Sequence, residues 1–472
     1  MKINDLKHVY FCTGARNHEL LDYFDEKILS FECDERSASF KALGHAKLTQ
    51  SPVAICTTSG TAVSECLSAM IEAYYSEVPL ILISGDRPKR MHGKATPQTI
   101  NHEVVTQAHR KTYLELSLEE LNKLDITGLE FPVHINVLIE KSNEIPSSTP
   151  TSHDPSWSGF HDFLKAYPKP LFIFSHENKS MRPFVEKFKR LNLPFYAEVL
   201  SQCHDLSSIF FERDLIKAFK KNHFSSVVRI GHTPMTKLWR LLEQTPLPQF
   251  SFDSRNFQGL SFGTVMPLSS DDLNNSPHFW ENIISLQSSP GIHQTEGKVL
   301  ESLVMKYPDS DISRLAQVVN TIKDESLVYV GNSLVIRFFE LLQNRRLSVF
   351  GNRGVNGIDG QLSTAIGMAA ATNKTVYCFL GDLTTYYDLS SLRDIPENLK
   401  LIILNNGGGK IFEMMKLDPR IYLNHFETFE HIAGAFHLSY AQNDAGRLEQ
   451  VKILELISNP NETKAFLEEW DS

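Results

Sequence analysis

The chain has little of what would place it outside the cell, in a membrane or on nucleic acid. It holds six cysteines, Cys12, Cys33, Cys56, Cys66, Cys203 and Cys378, and no two form a C-x-x-C pair. Such scattered spacing gives neither a disulfide frame nor a zinc site, and reads as reduced, mostly buried thiols in a cytoplasmic protein. Positive charge is in deficit, with 47 Lys and Arg against 56 Asp and Glu and a formal net charge of -9. Nucleic acid and anionic membrane both want a basic face, so neither is the main partner. No apolar run approaches the roughly 18 to 20 residues that a membrane span needs. The opening "MKINDLKHVYFC" lacks the apolar core of a signal peptide. A Walker A loop is missing too: ahead of Gly409-Lys410 the required glycine position is Leu404, and the required hydroxyl position is Ile411. "GVNGIDG" at 354–360 lacks G-x-G-x-x-G spacing, which leaves a dinucleotide fingerprint weak.

What is present is ordinary soluble composition over an unusual length for one core. Hydrophobic residues make up 42% and charged residues 22% of 472 positions, which predicts two or three globular domains. In the first block "HVYFC" (8–12), "ILSFEC" (28–33), "PVAICTT" (52–58), "PLILIS" (79–84) and "PVHINVLIE" (132–140) read as strands, with "RSASFKALGHAKL" and "TAVSECLSAMIEAYY" as helices. Near-continuous apolar strands alternating with helices predict a parallel sheet covered on both faces. "NEIPSSTPTSHDPSWSG", 143–159, reads as a linker. A second block, with "PLFIFS", "PFYAEVL", "SSVVRIG" and "LPQFSFD" as short strands, closes at the polar "LSSDDLNNSPH". The third has strands "SLVYVGN", "LSVFGN", "TVYCFLGD", "LKLIILNN" and "KILELIS" and the helix "GQLSTAIGMAAA". The expected fold is three consecutive α/β domains with parallel sheets, at 1–145, 158–292 and 300–472.

The segment "LGDLTTYYDLSSLRDIPENLKLIILNNGGGKIF", 380–412, puts Asp382 and Asn406 just past two predicted strands. Ligands of open parallel sheets bind at those strand ends. A carboxylate and an amide oxygen are hard ligands that suit Mg²⁺, which completes its octahedron with water and phosphate oxygens. The glycines at 407–409 let the backbone approach, so the Gly408 carbonyl is a third candidate ligand. The competing reading is two polar strand caps and a flexible turn. Glu35, in Asp34-Glu35-Arg36, is a second acid at a strand end, and by itself reads equally as part of a solvated charge cluster at a helix N-terminus.

"DER", then "TSGTAV", "GDRP", "GNRGVNGIDG" and "GDL…NNGGGKIF", in that order, resemble the thiamine-diphosphate-dependent superfamily. Within it the chain looks most like the 2-succinyl-5-enolpyruvyl-6-hydroxy-3-cyclohexene-1-carboxylate synthase family, in which "GDL" stands where the superfamily usually has G-D-G. The likeness covers both end blocks nearly throughout and the middle block weakly. It implies a pyrimidine-binding first domain, a largely structural middle domain and a diphosphate-binding third domain. It also implies a homodimer, possibly a homotetramer, in which two subunits share each cofactor.

The resemblance implies residue roles as well. Glu35 would hydrogen-bond the aminopyrimidine ring and drive its proton exchange, and Ile358 would support the folded shape of thiamine diphosphate; core packing is the competing reading for Ile358. Thr58, Ser59, Leu383 and Thr384 join Glu35, Ile358, Asp382, Asn406 and Gly408 as cofactor contacts, with Mg²⁺ (or Mn²⁺) on Asp382, Asn406 and Gly408. The implied reaction decarboxylates 2-oxoglutarate and adds the remaining fragment to isochorismate in a 1,4 sense, toward menaquinone. Both substrates are dianions, and buried carboxylates must be paired. Arg16, Arg87, Lys237, Arg337 and Arg353 match the implied cationic contacts, and Gln98 and Ser333 the polar ones.

The match breaks in places. The family's P-G-S-R-S reads Thr13-Gly14-Ala15-Arg16-Asn17, the Asn before the glutamine is Pro97, and the Lys-Arg pair reads Lys237-Leu238. The middle block is short, and the first strand comes almost at once, without the helix that usually precedes it. The cofactor motifs are better kept than the substrate motifs. Two rivals therefore stay open: a thiamine-diphosphate-dependent 2-oxoacid decarboxylase or carboligase with another acceptor, and a degenerate relative without activity.

Overall fold

The structure is a computed structural model that describes residues 3, 6–94, 96–141, 153–177, 179–209, 211–234, 238–244, 247–255, 263–286, 297–342 and 346–471. The chain divides into two compact units. Unit one is Met1–Ser142 with Arg353–Asp359 and Gly407–Phe426; unit two is Asn143–Asn352, Gly360–Asn406 and Glu427–Ser472.

Unit one holds six parallel strands: β1 (Val9–Cys12), β2 (Leu29–Glu32), β3 (Val53–Thr57), β4 (Leu80–Asp86), β5 (Thr112–Ser117) and β6 (Val133–Leu138), in the order β2-β1-β3-β4-β6-β5. β3 and β4 are buried along their whole length. That is the burial a two-sided cover demands, and it explains their unbroken apolar reading. Phe11, Ile81 and Ile83 face one core layer and Cys12, Leu80 and Leu82 the other. β5 was not expected. It is an edge strand, half-exposed, and its "TYLELS" mixes polar with apolar residues.

The helix read at 61–75 is two helices, Thr61–Glu65 and Leu67–Ser76, parted at Cys66. The helix read at 36–48 spans Glu35–Thr49, with the Asp34 side chain capping it by accepting from the Ser37 amide at 2.9 Å.

Unit two holds two parallel sheets. The first has β7 (Pro170–Phe174), β8 (Phe195–Ala197), β9 (Ser226–Ile230), β10 (Gln249–Phe252) and β11 (Thr264–Met266), in the order β11-β10-β9-β7-β8. Its core is phenylalanine-rich, with Phe160, Phe172, Phe174, Phe188, Phe250 and Phe279 all buried. The second has β12 (Leu327–Val330), β13 (Ser348–Phe350), β14 (Val376–Gly381), β15 (Leu399–Asn405), β16 (Tyr440–Gln442) and β17 (Ile453–Ile457), in the order β13-β12-β14-β15-β17-β16. The three parallel α/β sheets are the architecture read from the sequence.

Two polar stretches read as breaks are partly helical. Trp157–Ala166 is a helix that Ser156 caps through the Gly159 amide; residues 143–152 of that stretch lie outside the described residues. Within "LSSDDLNNSPH", Ser269 and Asp272 form a capping box for helix Ser270–Asn275. Its polar composition is that of a helix start and not of a linker.

Candidate functional site

In each end sheet the strand order reverses beside one strand, and the crevice at that switch point is where an open parallel sheet takes its ligand. In unit one the switch lies between β1 and β3, and the segments that leave them are Thr13–Asn17 and Thr58–Thr61. Gly14 lies so close to the second segment that a Cβ there would come 2.4 Å from Thr58 Cβ. Gly60 has φ +92°, and a Cβ on it would sit 3.1 Å from Val355 Cγ1 and 3.4 Å from Gln98 Cα. Only glycine fits both that backbone and that space. Thr58 and Ser59 are 8% and 2% exposed. Among the described residues, Thr58 Oγ1 and Ser59 Oγ have no hydrogen-bond partner. Buried hydroxyls without partners are costly and mark a place where a polar ligand belongs.

Glu35 is the first residue of helix Glu35–Thr49 and is buried, so the solvated-cluster reading fails. Thr57 Oγ1 donates to Glu35 Oε1 at 3.4 Å. Burial and then the Glu35 charge push the Cys66 thiol far up, and the same two causes act on Cys12. The carboxyl therefore has neutral, thiol-bearing neighbours.

Thr61 Oγ1 donates to Asp359 Oδ1 at 2.6 Å, which fixes the 353–359 segment in unit one. That segment carries Arg353 and Ile358. Both are half-buried. Arg16 is buried and donates from an Nη to the Ile139 carbonyl at 3.1 Å. Arg87 is buried and its Nε donates to the Pro97 carbonyl at 2.8 Å, which ties it to the loop bearing Gln98. Gln98 itself is left-handed, φ 58°.

In unit two the switch lies between β12 and β14, with β15 next in line. Gly381 pairs with Leu404, so Asp382 stands one residue and Asn406 two residues past the last paired position of adjacent strands. Neighbouring strands run about 4.8 Å apart, so both side chains start from one end of the sheet. Asp382 is 3% exposed and opens helix Asp382–Tyr387; its Oδ1 accepts from the Leu383 amide at 2.6 Å. Thr384 is buried beside it in that helix, and Leu383 is half-buried.

The two asparagines differ. Asn405 donates to Glu455 Oε1 and to the Glu427 carbonyl, a structural use. Asn406 Nδ2 donates to Asp311 Oδ2 at 3.0 Å. A carboxylate only accepts, so it holds the amide nitrogen and turns Oδ1 the other way. Sequence reading missed Asp311, which is 95 residues away and 1% exposed at the start of helix Asp311–Val319.

Gly408 belongs to unit one, with φ +123°. Among the described residues no three His, Cys, Asp or Glu side chains form a metal cluster. Asp382 and Asn406, both in unit two, offer a carboxylate and an amide oxygen, hard donors of the kind Mg²⁺ takes.

Ser333 follows β12 with φ 72° and precedes helix Leu334–Phe339. On that helix, Arg337 has its pKa lowered by burial and then by the Arg240 charge, partly opposed by Glu212. Lys237 lies outside the described residues. Leu238, where the family has a cation, is fully buried in a core cluster. Arg240, two positions on, is the guanidinium whose charge acts on Arg337.

The family described as "Thiamine pyrophosphate enzyme, N-terminal TPP binding domain" matches residues 1–105. A 2-succinyl-5-enolpyruvyl-6-hydroxy-3-cyclohexene-1-carboxylate synthase of Bdellovibrio bacteriovorus is 32% identical, over 99% of this chain and 96% of its own. Relatives of the same name from Akkermansia muciniphila and Flavobacterium johnsoniae are 29% identical over 86% of this chain and 81% of theirs, and 28% identical over 98% and 92%.

Proposed function

The chain belongs to the 2-succinyl-5-enolpyruvyl-6-hydroxy-3-cyclohexene-1-carboxylate synthase family, and from that premise we propose that it joins 2-oxoglutarate, with loss of CO₂, to isochorismate on the way to menaquinone. The observation that carries this reading is a relative of that name matched along 99% of the chain. The partnerless Thr58 and Ser59 hydroxyls support thiamine diphosphate as the cofactor, since they are buried polar groups in want of a ligand. Once bound, that cofactor supplies a nucleophilic carbon able to decarboxylate a 2-oxoacid and pass on the remainder.

The chain's residues do the rest. Glu35, held by Thr57, would exchange a proton with the aminopyrimidine ring, the general acid–base role of a positioned carboxyl. Thr58 and Ser59 donate to the cofactor, and Ile358 braces it. Asp382 and Asn406, with the Gly408 carbonyl, hold Mg²⁺ or Mn²⁺ against the diphosphate, and Leu383 and Thr384 line that end.

Arg16, Arg87, Lys237, Arg337 and Arg353 neutralise the substrate carboxylates, and Gln98 and Ser333 orient them. The working form is a homodimer or homotetramer in the cytoplasm, with two subunits completing each cofactor site. Among the described residues no helix is long and apolar enough to cross a membrane.

The test is an assay of purified protein with 2-oxoglutarate, isochorismate, Mg²⁺ and thiamine diphosphate. Isochorismate loss matched one to one by CO₂ release is expected. CO₂ release that ignores isochorismate points to a plain decarboxylase, and silence with bound cofactor points to a degenerate relative.

A further inference from the structure

A buried polar chain runs beneath the Thr58–Gly60 turn of unit one, and its backbone and amide donors constrain the direction of its hydrogen bonds. The Gly60 amide can only donate, and its partner is His102 Nε2 at 3.1 Å, so that nitrogen carries no proton. His102 Nδ1 faces Asn136 Oδ1 at 2.8 Å and Asp86 Oδ2 at 3.3 Å. Asn136 Nδ2 donates to Asp86 Oδ2 at 3.0 Å, which settles the amide orientation and leaves Oδ1 to accept from the imidazole.

Ser84 Oγ donates to the same Oδ1 at 2.8 Å and therefore accepts from His134 Nε2 at 2.9 Å. Thr106 Oγ1 donates to His134 Nδ1 at 2.7 Å and accepts from an Arg110 Nη at 2.8 Å. The shorter of these contacts are all met with both imidazoles neutral, His102 protonated on Nδ1 and His134 on Nε2. Burial foremost holds the His134 pKa far below its ordinary value, in keeping with a neutral His134. Asp86 Oδ1 accepts from the Arg87 amide at 2.7 Å, so the same carboxylate also sets the backbone of a substrate-facing arginine.

We propose that His102 is a positioning residue: as a neutral imidazole oriented by Asp86 and Asn136, it accepts the Gly60 amide and so aims the Thr58 and Ser59 hydroxyls at the bound cofactor. The inference rests on the thiamine diphosphate reading above. Gly60 is where the anchor matters, because its φ of +92° gives a backbone with no side chain to fix it. A protonated His102 would set two N–H groups against each other at this contact.

The test uses two substitutions of similar polarity. In His102→Gln, Oε1 lies as many bonds from Cβ as Nε2 does and can take the Gly60 amide. In His102→Asn, Oδ1 replaces Nδ1, and nothing reaches Gly60. Calorimetry with thiamine diphosphate and Mg²⁺ is run on the full chain, wild type first. The expected result is an affinity within about threefold of wild type for the Gln variant and a loss of about tenfold or more for the Asn variant, the scale on which a stranded buried N–H is felt.

Melting temperatures without cofactor provide the contrast, since a merely structural role would lower both variants without separating their affinities. Equal affinities in the two variants overturn the proposal, as does a Gln variant that does not fold. No binding by wild type overturns the cofactor reading, and this inference with it.

Discussion

Asp311 offers the sharpest prediction, because its side chain touches the proposed metal only through Asn406. In Asp311→Ala the acceptor of Asn406 Nδ2 is lost, and the amide is free to turn its oxygen away. The fold has reason to survive. The residue 311 amide still donates to Thr463 Oγ1 at 2.9 Å, and Ser310 still caps the helix through the Ser313 amide at 3.2 Å. Losing an acid from the first turn of that helix costs about 0.3–1 kcal/mol. Residues that orient a metal ligand are worth about 10- to 100-fold in metal affinity, which is roughly 1.4–2.7 kcal/mol. Mg²⁺ titration with saturating thiamine diphosphate, followed by calorimetry beside a thermal melt, reads both quantities. An affinity within about twofold of wild type would refute the argument that the carboxylate aims the amide, because the expected loss starts at about tenfold.

Two further substitutions separate the halves of the site. Glu35→Gln keeps an acceptor for Thr57 and removes the exchangeable proton; turnover of 2-oxoglutarate with isochorismate should fall by about 10²- to 10⁴-fold, with cofactor binding kept. Activity near wild type would remove Glu35 from its role. Asp382→Ala removes the one carboxylate of the proposed metal set, so calorimetry should find Mg²⁺-dependent binding of thiamine diphosphate abolished; a normal isotherm would end the metal assignment.

Much of the architecture was legible because buried strands of parallel sheets are plain apolar runs. β5, β11 and β16 escaped since they sit at sheet edges, where one side needs no apolar cover. The positions of Asp382 and Asn406 past β14 and β15 were legible as strand ends, whereas Asp311 was not. Its meeting with Asn406 depends on a helix start brought to β15 by tertiary packing, for which no local spacing exists. Glu35 was legible as an acid but not as a buried one, since "DER" reads the same in solvent as in a crevice. Leu238 looked like a plain deficit in the sequence. In three dimensions it belongs to the core, and the Arg240 charge acts on Arg337 instead. His102 gave no signal because its importance lies in which backbone amide it faces.

Unit one is stitched from three stretches of chain, and its apolar interior includes Ile421, fully buried, with Phe412, Leu417 and Tyr422 packed around the same core. The Asp418 amide also donates to His18 Nε2 at 3.0 Å. The amino-terminal third of the enzyme is therefore not a module that can be cut out at the obvious seam. A fragment ending near residue 142 would carry a vacant socket where an isoleucine from the carboxy-terminal part of the chain belongs, and a ribosome that has just made that third has not yet made the plug.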